Sequence, residues 1–347
     1  MTPHADALTP ELEASAGADG PPVQMTVGGA GWRRPASQLA SRLTQMLLTA
    51  LAASAITFTA LYFAPGNPLA VITGGTPTSP RAAARLRAEY YLNHPFLAQY
   101  WHWLSGVLAG HFGTSFLYHV SVASLLTGRM PTTLLLVGMS SALIIGVGLT
   151  MGLLSAFAGR RSNVLINTLY AVSIATPTYV IAIVLITIFS LYLSWFPVFG
   201  SGSGLVGRLH HLVLPAVTLA LGSGGALARV TRASVLEEAS REHVTTAVAR
   251  GMTPWQVLWR HIVRNALLPV TTGGGLIVAA LIGGDVIVEQ AYGLNGLGSL
   301  LVLAIERKDY PVVLGVVFVI VAAFLLINAL IDILYALIDP RTRARTA

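Results

Sequence analysis

The sequence contains no cysteine and few charged residues. Without cysteine it has no disulfide bond, no thiolate metal site and no cysteine nucleophile. Charged residues make up 10% of the 347 residues and hydrophobic residues 54%, whereas an ordinary soluble protein has about 25% charged residues. The chain also lacks a GxxxxGK(S/T) motif, so it has no phosphate-binding loop of the usual kind. This composition predicts an integral membrane protein without a nucleotide site of its own.

Long apolar segments contain most of the hydrophobic residues. Six of them reach the roughly 20 residues that an α-helix needs to cross a hydrocarbon core of about 30 Å; they lie at about 43–64, 132–158, 164–193, 210–230, 266–288 and 312–338. Pro177 and Pro215 interrupt two of them, which is tolerated where neighbouring helices satisfy the freed carbonyl groups. The predicted fold is an all-α integral membrane protein with six transmembrane helices and both termini on one side.

These segments divide the chain into regions. The first apolar run contains Ala53-Ser54-Ala55, which resembles a signal-peptide cleavage site, but the run is too long for a signal peptide and predicts a retained helix. The segment before it has few large apolar side chains and predicts a disordered tail. The predicted regions are a tail at 1–38, a first transmembrane helix at 39–64, a non-membrane segment at 65–130, a core of five transmembrane helices at 131–338 and a second tail at 339–347.

Arginine and lysine are unevenly divided between the two sides of this topology. Of the 21 residues, 14 lie on the side of the termini, and seven lie on the other side: Arg81, Arg85, Arg87, Arg129, Arg208, Arg307 and Lys308. Because cytoplasmic loops are enriched in Lys and Arg, this bias predicts cytoplasmic termini and an extracytoplasmic segment at 65–130. The formal net charge of +7 is interpreted as this topological signal.

Residues 237–269 form the one long charged stretch between two strongly apolar segments. Gly251 suits the left-handed position that closes a helix. Thr253, Pro254 and Gln256 supply an N-cap, a first-turn proline and a capping-box partner for the next helix. The stretch therefore predicts two helices joined at a glycine.

Three interpretations of this helix-glycine-helix stretch follow from its residues alone. It is an amphipathic connector at the membrane surface, because Trp255, Leu258 and Trp259 share an apolar face, or it is a docking site for another protein. The third interpretation, a DNA-reading helix-turn-helix, is disfavoured by the two tryptophans and by the flanking membrane segments. No nucleic-acid partner is therefore predicted.

Two acidic residues near the outer end of the fifth apolar segment are candidate functional residues. Asp285 and Glu289 are four apart and share a helix face. Ionisable residues at membrane depth commonly mark substrate paths, and these two are candidates for contacting a cationic group of a substrate. The alternative is that they cap a helix or pair with Arg307 or Lys308. The histidines lack carboxylate neighbours at ligand spacing, so we predict no metal site, and no catalytic constellation is present.

The stretch around Gly251 resembles the signature loop of the membrane subunits of ABC importers. That family carries Glu-Ala-Ala, three residues, Gly, and about nine residues later an apolar residue, any residue and Leu-Pro. Here Ala247 and Gly251 match, and Thr245 and Thr246 occupy the first two positions. Leu268-Pro269 supplies the Leu-Pro ending, about five residues later than in that pattern. Glu242, one turn earlier, is the candidate replacement for the missing glutamate.

Further motifs place the resemblance in the dipeptide, oligopeptide and nickel branch of the family. They are Pro65-Gly66-Asn67-Pro68, Phe112-Gly113-Thr114-Ser115, Arg129-Met130-Pro131-Thr132-Thr133-Leu134, Thr231-Arg232-Ala233-Ser234, Val286-Ile287-Val288-Glu289, Asp309-Tyr310-Pro311-Val312-Val313 and Asp339-Pro340-Arg341. Together with the signature loop they cover nearly the whole chain from about residue 40. One departure is Asn295, where the branch usually carries proline before Gly-Leu-Gly.

The resemblance implies a permease subunit of an ATP-driven ABC importer in the cytoplasmic (inner) membrane, with short peptides as substrates and nickel chelates or glutathione as alternatives. It implies as partners a second homologous permease, two ABC ATPase subunits or one fused, and an extracytoplasmic solute-binding protein. ATP and Mg would bind to the ATPases, and no cofactor to this chain. A stand-alone channel or secondary carrier is disfavoured, because the spans show no inverted repeat.

The resemblance also assigns a role to residues 231–265, which we call the coupling segment. This segment is expected to lie in the cytoplasm between the fourth and fifth spans and to contact the ATPase. The residues expected to dock on the ATPase are Glu242, Thr245, Thr246, Ala247, Gly251, Met252 and Thr253.

Overall fold

The structure, a computed structural model, describes residues 34–65 and 67–338. The tails predicted at 1–38 and 339–347 lie outside these residues, apart from 34–38, and so does the Asp339-Pro340-Arg341 motif. The described residues fold into helices, and none of them belongs to a β-strand. The helices are α1 (Arg34–Tyr62), α2 (Pro68–Ile72), α3 (Pro80–Glu89), α4 (Phe96–Leu108), α5 (Val122–Phe157), α6 (Arg160–Ala175), α7 (Thr178–Leu185), α8 (Gly204–Ala239), α9 (Glu242–Ala249), α10 (Pro254–Val257), α11 (Arg264–Gly284), α12 (Val286–Ala291), α13 (Leu297–Glu306) and α14 (Tyr310–Ile338).

Among the described residues, five helical stretches are long and apolar enough to cross a membrane: Ser41–Tyr62, Val122–Phe157, Gly204–Ala239, Pro254–Gly283 and Tyr310–Ile331. The third predicted span, at about 164–193, is a bent pair of helices rather than one continuous helix. Its halves, α6 and α7 with the π-helical segment Ile186–Tyr192, meet at an angle of 105°. Pro177 lies at the bend, where it lacks an N–H group and disfavours a helical conformation of Thr176. The spans number five, or six if the bent pair is one span.

Two of the spans are longer than their apolar segments predict. Helix α5 begins at Val122 and continues through Pro131, and α8 begins at Gly204 and continues through Pro215. Each has 36 residues and is therefore roughly 54 Å long, well beyond a hydrocarbon core of about 30 Å. Both helices consequently carry polar residues past the apolar layer.

Helices α5 and α8 pack closely through small residues. A Cβ atom added to Gly152 would lie 2.4 Å from Thr231 Cβ, and one added to Gly148 would lie 2.7 Å from Leu227 Cδ2. Only glycine permits such an approach, as in other small-residue helix contacts within membranes. At its other end α5 lies against α14, since a Cβ on Gly315 would be 2.8 Å from Val122. Helix α5 therefore runs from the start of α14 to the end of α8.

A buried carboxylate fixes the loop that precedes α5. Asp309 is 1% exposed, and it accepts hydrogen bonds from Ser115 Oγ at 2.5 Å and from the Phe116 backbone N–H at 3.0 Å. These contacts join the Phe112–Ser115 and Asp309–Val313 motifs across 193 and 194 positions in the sequence. The end of the molecule where α14 begins is thus held by hydrogen bonds to the Asp309 carboxylate.

Candidate functional site

The coupling segment contains one more break than the sequence predicts. Helix α8 ends at Ala239 and α9 begins at Glu242, whereas the charge pattern predicts one helix up to Gly251. Arg241 lies between them with φ −78° and ψ 148°, which is extended backbone. An ion pair nevertheless bridges this junction, since Arg241 Nη2 lies 3.1 Å from Glu237 Oε1.

The turn at Gly251 has the predicted geometry. Gly251 has φ +78°, and the Met252 N–H donates to the carbonyl of Ala247 at 3.3 Å, so the last carbonyls of α9 are satisfied as in a glycine-closed helix. Thr253 then caps α10 in a complete capping box with Gln256. The helix-glycine-helix prediction is confirmed.

A small hydrophobic core holds the coupling segment to its own spans. The cluster consists of Val235 from α8, Val244 and Ala247 from α9, Val257 from α10, Ile262 from the π-helical segment Leu258–Val263, and Ala266 from α11. Ala247 is 4% exposed, so its small side chain serves the packing of α9 on this core. Because one cluster joins five consecutive elements, a force applied to α9 reaches both α8 and α11.

Glu238 is the polar centre of the coupling segment. It is 5% exposed, and its two oxygens lie 3.0 Å from Arg241 Nε, 3.2 Å from His243 Nε2 and 2.8 Å from Asn265 Nδ2. These partners come from the α8–α9 junction, from α9 and from α11. A single carboxylate therefore joins α9 to the ends of both neighbouring spans.

The exposed face of α9 carries most of the residues predicted to dock on an ATPase. Glu242, Thr245 and Thr246 are exposed, and so are Gly251 and Thr253 in the following turn. Met252 is partly buried. It lines an apolar groove of about 430 Å³ together with Phe157 at the end of α5, Val244 and Val248 of α9, and Pro254, Trp255, Val257, Leu258 and Ile262.

Glu289 lies inside the protein at the start of α13. It is 0% exposed; it accepts a hydrogen bond from Thr133 Oγ1 at 2.6 Å and another from the Ser299 backbone N–H at 2.9 Å. Thr133 Oγ1 in turn accepts from the Leu297 N–H at 2.8 Å. A Cβ on Gly296 would lie within 2.1 Å of Glu289 Oε1, so glycine makes room for the carboxylate. Glu289 thus caps α13, one of the roles weighed from the sequence.

Asp285 lies one turn before Glu289, as their spacing predicts. The Glu289 N–H donates to the Asp285 carbonyl at 2.8 Å, so the two residues share a helix face. Asp285 is 1% exposed, and neither carboxylate oxygen has a hydrogen-bond partner among the described residues. Neither acid forms an ion pair within that part of the chain, and Lys308 Nζ donates instead to the Pro65 carbonyl at 2.9 Å. Contact of these acids with a substrate stays a prediction.

Sequence reasoning did not single out Glu238, Thr133 or Asp309 as important residues. For Glu238 a local signal exists, because Arg241 three residues later is a helical ion-pair partner. Thr133 and Asp309 belong to motifs of the resemblance, but their partners lie 156 and about 190 positions away. Among residues 34–65 and 67–338, no group of three His, Asp or Glu side chains is placed to hold a metal ion.

Family models match most of the chain. Residues 148–344 match the model described as binding-protein-dependent transport system inner membrane component, and residues 37–137 match the model of the N-terminal part of such components. An inward-facing methionine ABC transporter shares the fold, with a TM-score of 0.51 and 18% identity over 62% of this chain and 96% of that one.

Curated relatives extend this match. A probable peptide ABC transporter permease protein of Sinorhizobium fredii is 39% identical, covering 82% of this chain and 92% of that protein. An oligopeptide transport system permease protein of Bacillus subtilis is 34% identical, with the same shares covered, and a glutathione transport system permease protein of Salmonella typhimurium is 33% identical over 87% and 97%. The resemblance inferred from the motifs is confirmed. The chain belongs to the family of inner membrane components of binding-protein-dependent transport systems, and it is a multi-pass permease subunit of an ABC transporter in the inner membrane.

Proposed function

We propose that the chain is one of two membrane subunits of an ATP-driven importer of short peptides. The observation that carries the mechanism is the exposed face of α9, whose other face packs on a hydrophobic core shared with α8 and α11. The substrate class is supported by relatives named as peptide and oligopeptide permeases. In this proposal six spans cross the membrane, and both termini and the coupling segment lie in the cytoplasm.

Each proposed partner supplies a function that this chain lacks. A second, homologous permease completes the pathway, and two ABC ATPases, or one fused ATPase, bind ATP and Mg. An extracytoplasmic solute-binding protein delivers the peptide. This chain binds no cofactor and catalyses no reaction; it converts movement of the ATPases into opening and closing of the pathway.

The docking residues take two roles in this mechanism. Glu242, Thr245, Thr246, Gly251 and Thr253 are exposed and contact the ATPase, with Met252 at the edge of the apolar groove. Glu242 lies in the first turn of α9 and takes the place of the signature glutamate absent at position 245. Ala247, which faces inward, acts by seating α9 on the core of the coupling segment.

The proposal is tested by uptake of a labelled tripeptide into proteoliposomes. We expect uptake only when both permeases, the ATPases, the binding protein and ATP are present. Uptake by this chain alone would instead identify a channel or a secondary carrier. Glutathione is a second candidate substrate, favoured by the relative from Salmonella typhimurium. Identifying the ligand of the partner binding protein distinguishes glutathione from other short peptides.

The turn at Gly251 provides a first mutational prediction. A Cβ at this position meets no atom within 4 Å, but φ is +78°, so valine adds backbone strain of about 2 kcal/mol without a steric clash in this chain. We expect Gly251→Val to insert normally and to transport about tenfold less peptide per ATP hydrolysed. Gly251→Asn is the control, because asparagine tolerates this conformation. Full transport by the valine variant would refute the role of the turn.

A further inference from the structure

A large cavity lies at the end of the molecule opposite the coupling segment. Its volume is about 810 Å³, within the range of roughly 300–1,000 Å³ found for small-molecule sites. It is lined by the last turn of α1 and the first turns of α14, together with residues of α3, α4 and the loop before α5. Since α5 runs from this end to the coupling segment, the cavity belongs to the other face of the membrane.

The cavity lies at the boundary between the spans and the polar region. Tyr62 is the last residue of the first candidate span and Tyr310 the first residue of the last one, and both line the cavity. Tyr62 is also 46% exposed, so this wall reaches the outer surface of the chain. Tyrosine at the ends of membrane spans is typical of the headgroup level of a bilayer.

The lining is amphipathic. Its apolar part includes Phe58, Leu61, Phe112 and Leu314, which come from the two spans and the loop before α5, and its polar part includes Arg87 and Glu89 from α3. Neither charged side chain forms a salt bridge within the described residues. A ligand with one apolar part, one anion and one cation would complement this lining.

The charge of α3 indicates that the anion is a phosphate ester. This helix carries Arg81, Arg85 and Arg87 and no buried residue, and clustered basic side chains beside a membrane span attract the phosphate groups of lipids.

We propose that this cavity binds an aminophospholipid of the leaflet opposite the coupling segment. Its phosphate contacts Arg87, its ammonium group lies near Glu89, and its acyl chains lie along Phe58, Leu61 and Leu314. The lipid fills the space between α1 and α14 and joins α3 to the spans. This binding site does not depend on which substrate the transporter carries.

Native mass spectrometry of the full-length chain in mild detergent tests the proposal, with phosphatidylethanolamine and phosphatidylglycerol as competing probes. We expect the wild type to retain phosphatidylethanolamine in preference to phosphatidylglycerol. Arg87→Ala should retain it about tenfold less. Glu89→Gln should lose the preference for the amine. Arg81→Ala is the matched control, because Arg81 lies on the same helix but does not line the cavity.

Three results would overturn the assignment. Equal lipid retention by Arg87→Ala and Arg81→Ala would mean that the cavity does not hold the phosphate. Equal retention of the two lipids by the wild type would remove the role of Glu89. Displacement of bound lipid by a zwitterionic tripeptide would make the cavity a peptide site.

Discussion

Replacing Glu289 with alanine is expected to lower the free energy of unfolding by about 3 kcal/mol. The change leaves Thr133 Oγ1 and the Ser299 N–H without their acceptor inside the protein, and it empties the space that Gly296 leaves for the carboxylate. The start of α13 then keeps only the hydrogen bond from the Leu297 N–H to Thr133 as its polar connection to α5. Thermal unfolding of the purified chain in detergent measures the loss.

The control for this prediction is another glutamate of the same region. Glu306 is the last residue of α13 and is exposed, so Glu306→Ala should change stability by less than about 0.5 kcal/mol. Glu289→Gln keeps one acceptor oxygen and should fall between the two. If Glu289→Ala were as stable as Glu306→Ala, the capping role of Glu289 would be wrong.

Replacing Glu238 with alanine is expected to separate ATP hydrolysis from peptide uptake. The carboxylate joins Arg241, His243 and Asn265, and its loss removes the polar connection between α9 and α11. We expect a stability loss of about 1–3 kcal/mol and uptake per ATP about tenfold lower, because α9 is then held to α11 by the hydrophobic cluster alone. Both quantities are measurable in one reconstituted complex.

Glu237 supplies a matched control for this second prediction. It is adjacent to Glu238 and bonds the same arginine, but its side chain is 72% exposed. An ion pair at such a surface position contributes about 0–1 kcal/mol, so Glu237→Ala should transport normally. If the Glu237 and Glu238 variants take up equal amounts of peptide per ATP hydrolysed, the Glu238 connection does not transmit movement. If the wild-type complex takes up no peptide, the proposed function itself is wrong.

The features that the sequence predicted well are those whose signals are local. The left-handed turn at Gly251 and the capping box of Thr253 and Gln256 depend on residues within a few positions of each other. The close helix contact at Gly148 and Gly152 also has a local signal, because two glycines four residues apart favour close helix packing; this spacing does not identify the partner helix. The Lys and Arg bias predicts an orientation, which labelling from either side of the membrane tests.

The features that the sequence did not predict depend on distant or competing interactions. Helix capping by Glu289 was one of the alternatives from the sequence, but no local pattern predicts its hydrogen bond from Thr133 of another helix. The break between α8 and α9 occurs in residues with ordinary helical propensity, and beyond it Val244 and Ala247 pack on the core of the coupling segment. The 105° bend near Pro177 exceeds what a proline alone requires, because a proline inside α5 or α8 leaves the helix continuous.

The position of α9 is the central claim, and the absence of cysteine makes it directly measurable. Thr246→Cys places a single thiol on the exposed face of α9, Ala247→Cys places one in the buried core, and Thr76→Cys places one in the exposed loop between α2 and α3. A membrane-impermeant maleimide is applied to vesicles of either orientation.

We predict that Thr246→Cys reacts with the maleimide only in inside-out vesicles and is protected when the ATPase subunits bind. Thr76→Cys should react only in right-side-out vesicles. Ala247→Cys should react poorly in vesicles of both orientations. Reaction of Thr246→Cys from the outside, or equal reaction with and without the ATPases, would contradict the proposed coupling mechanism.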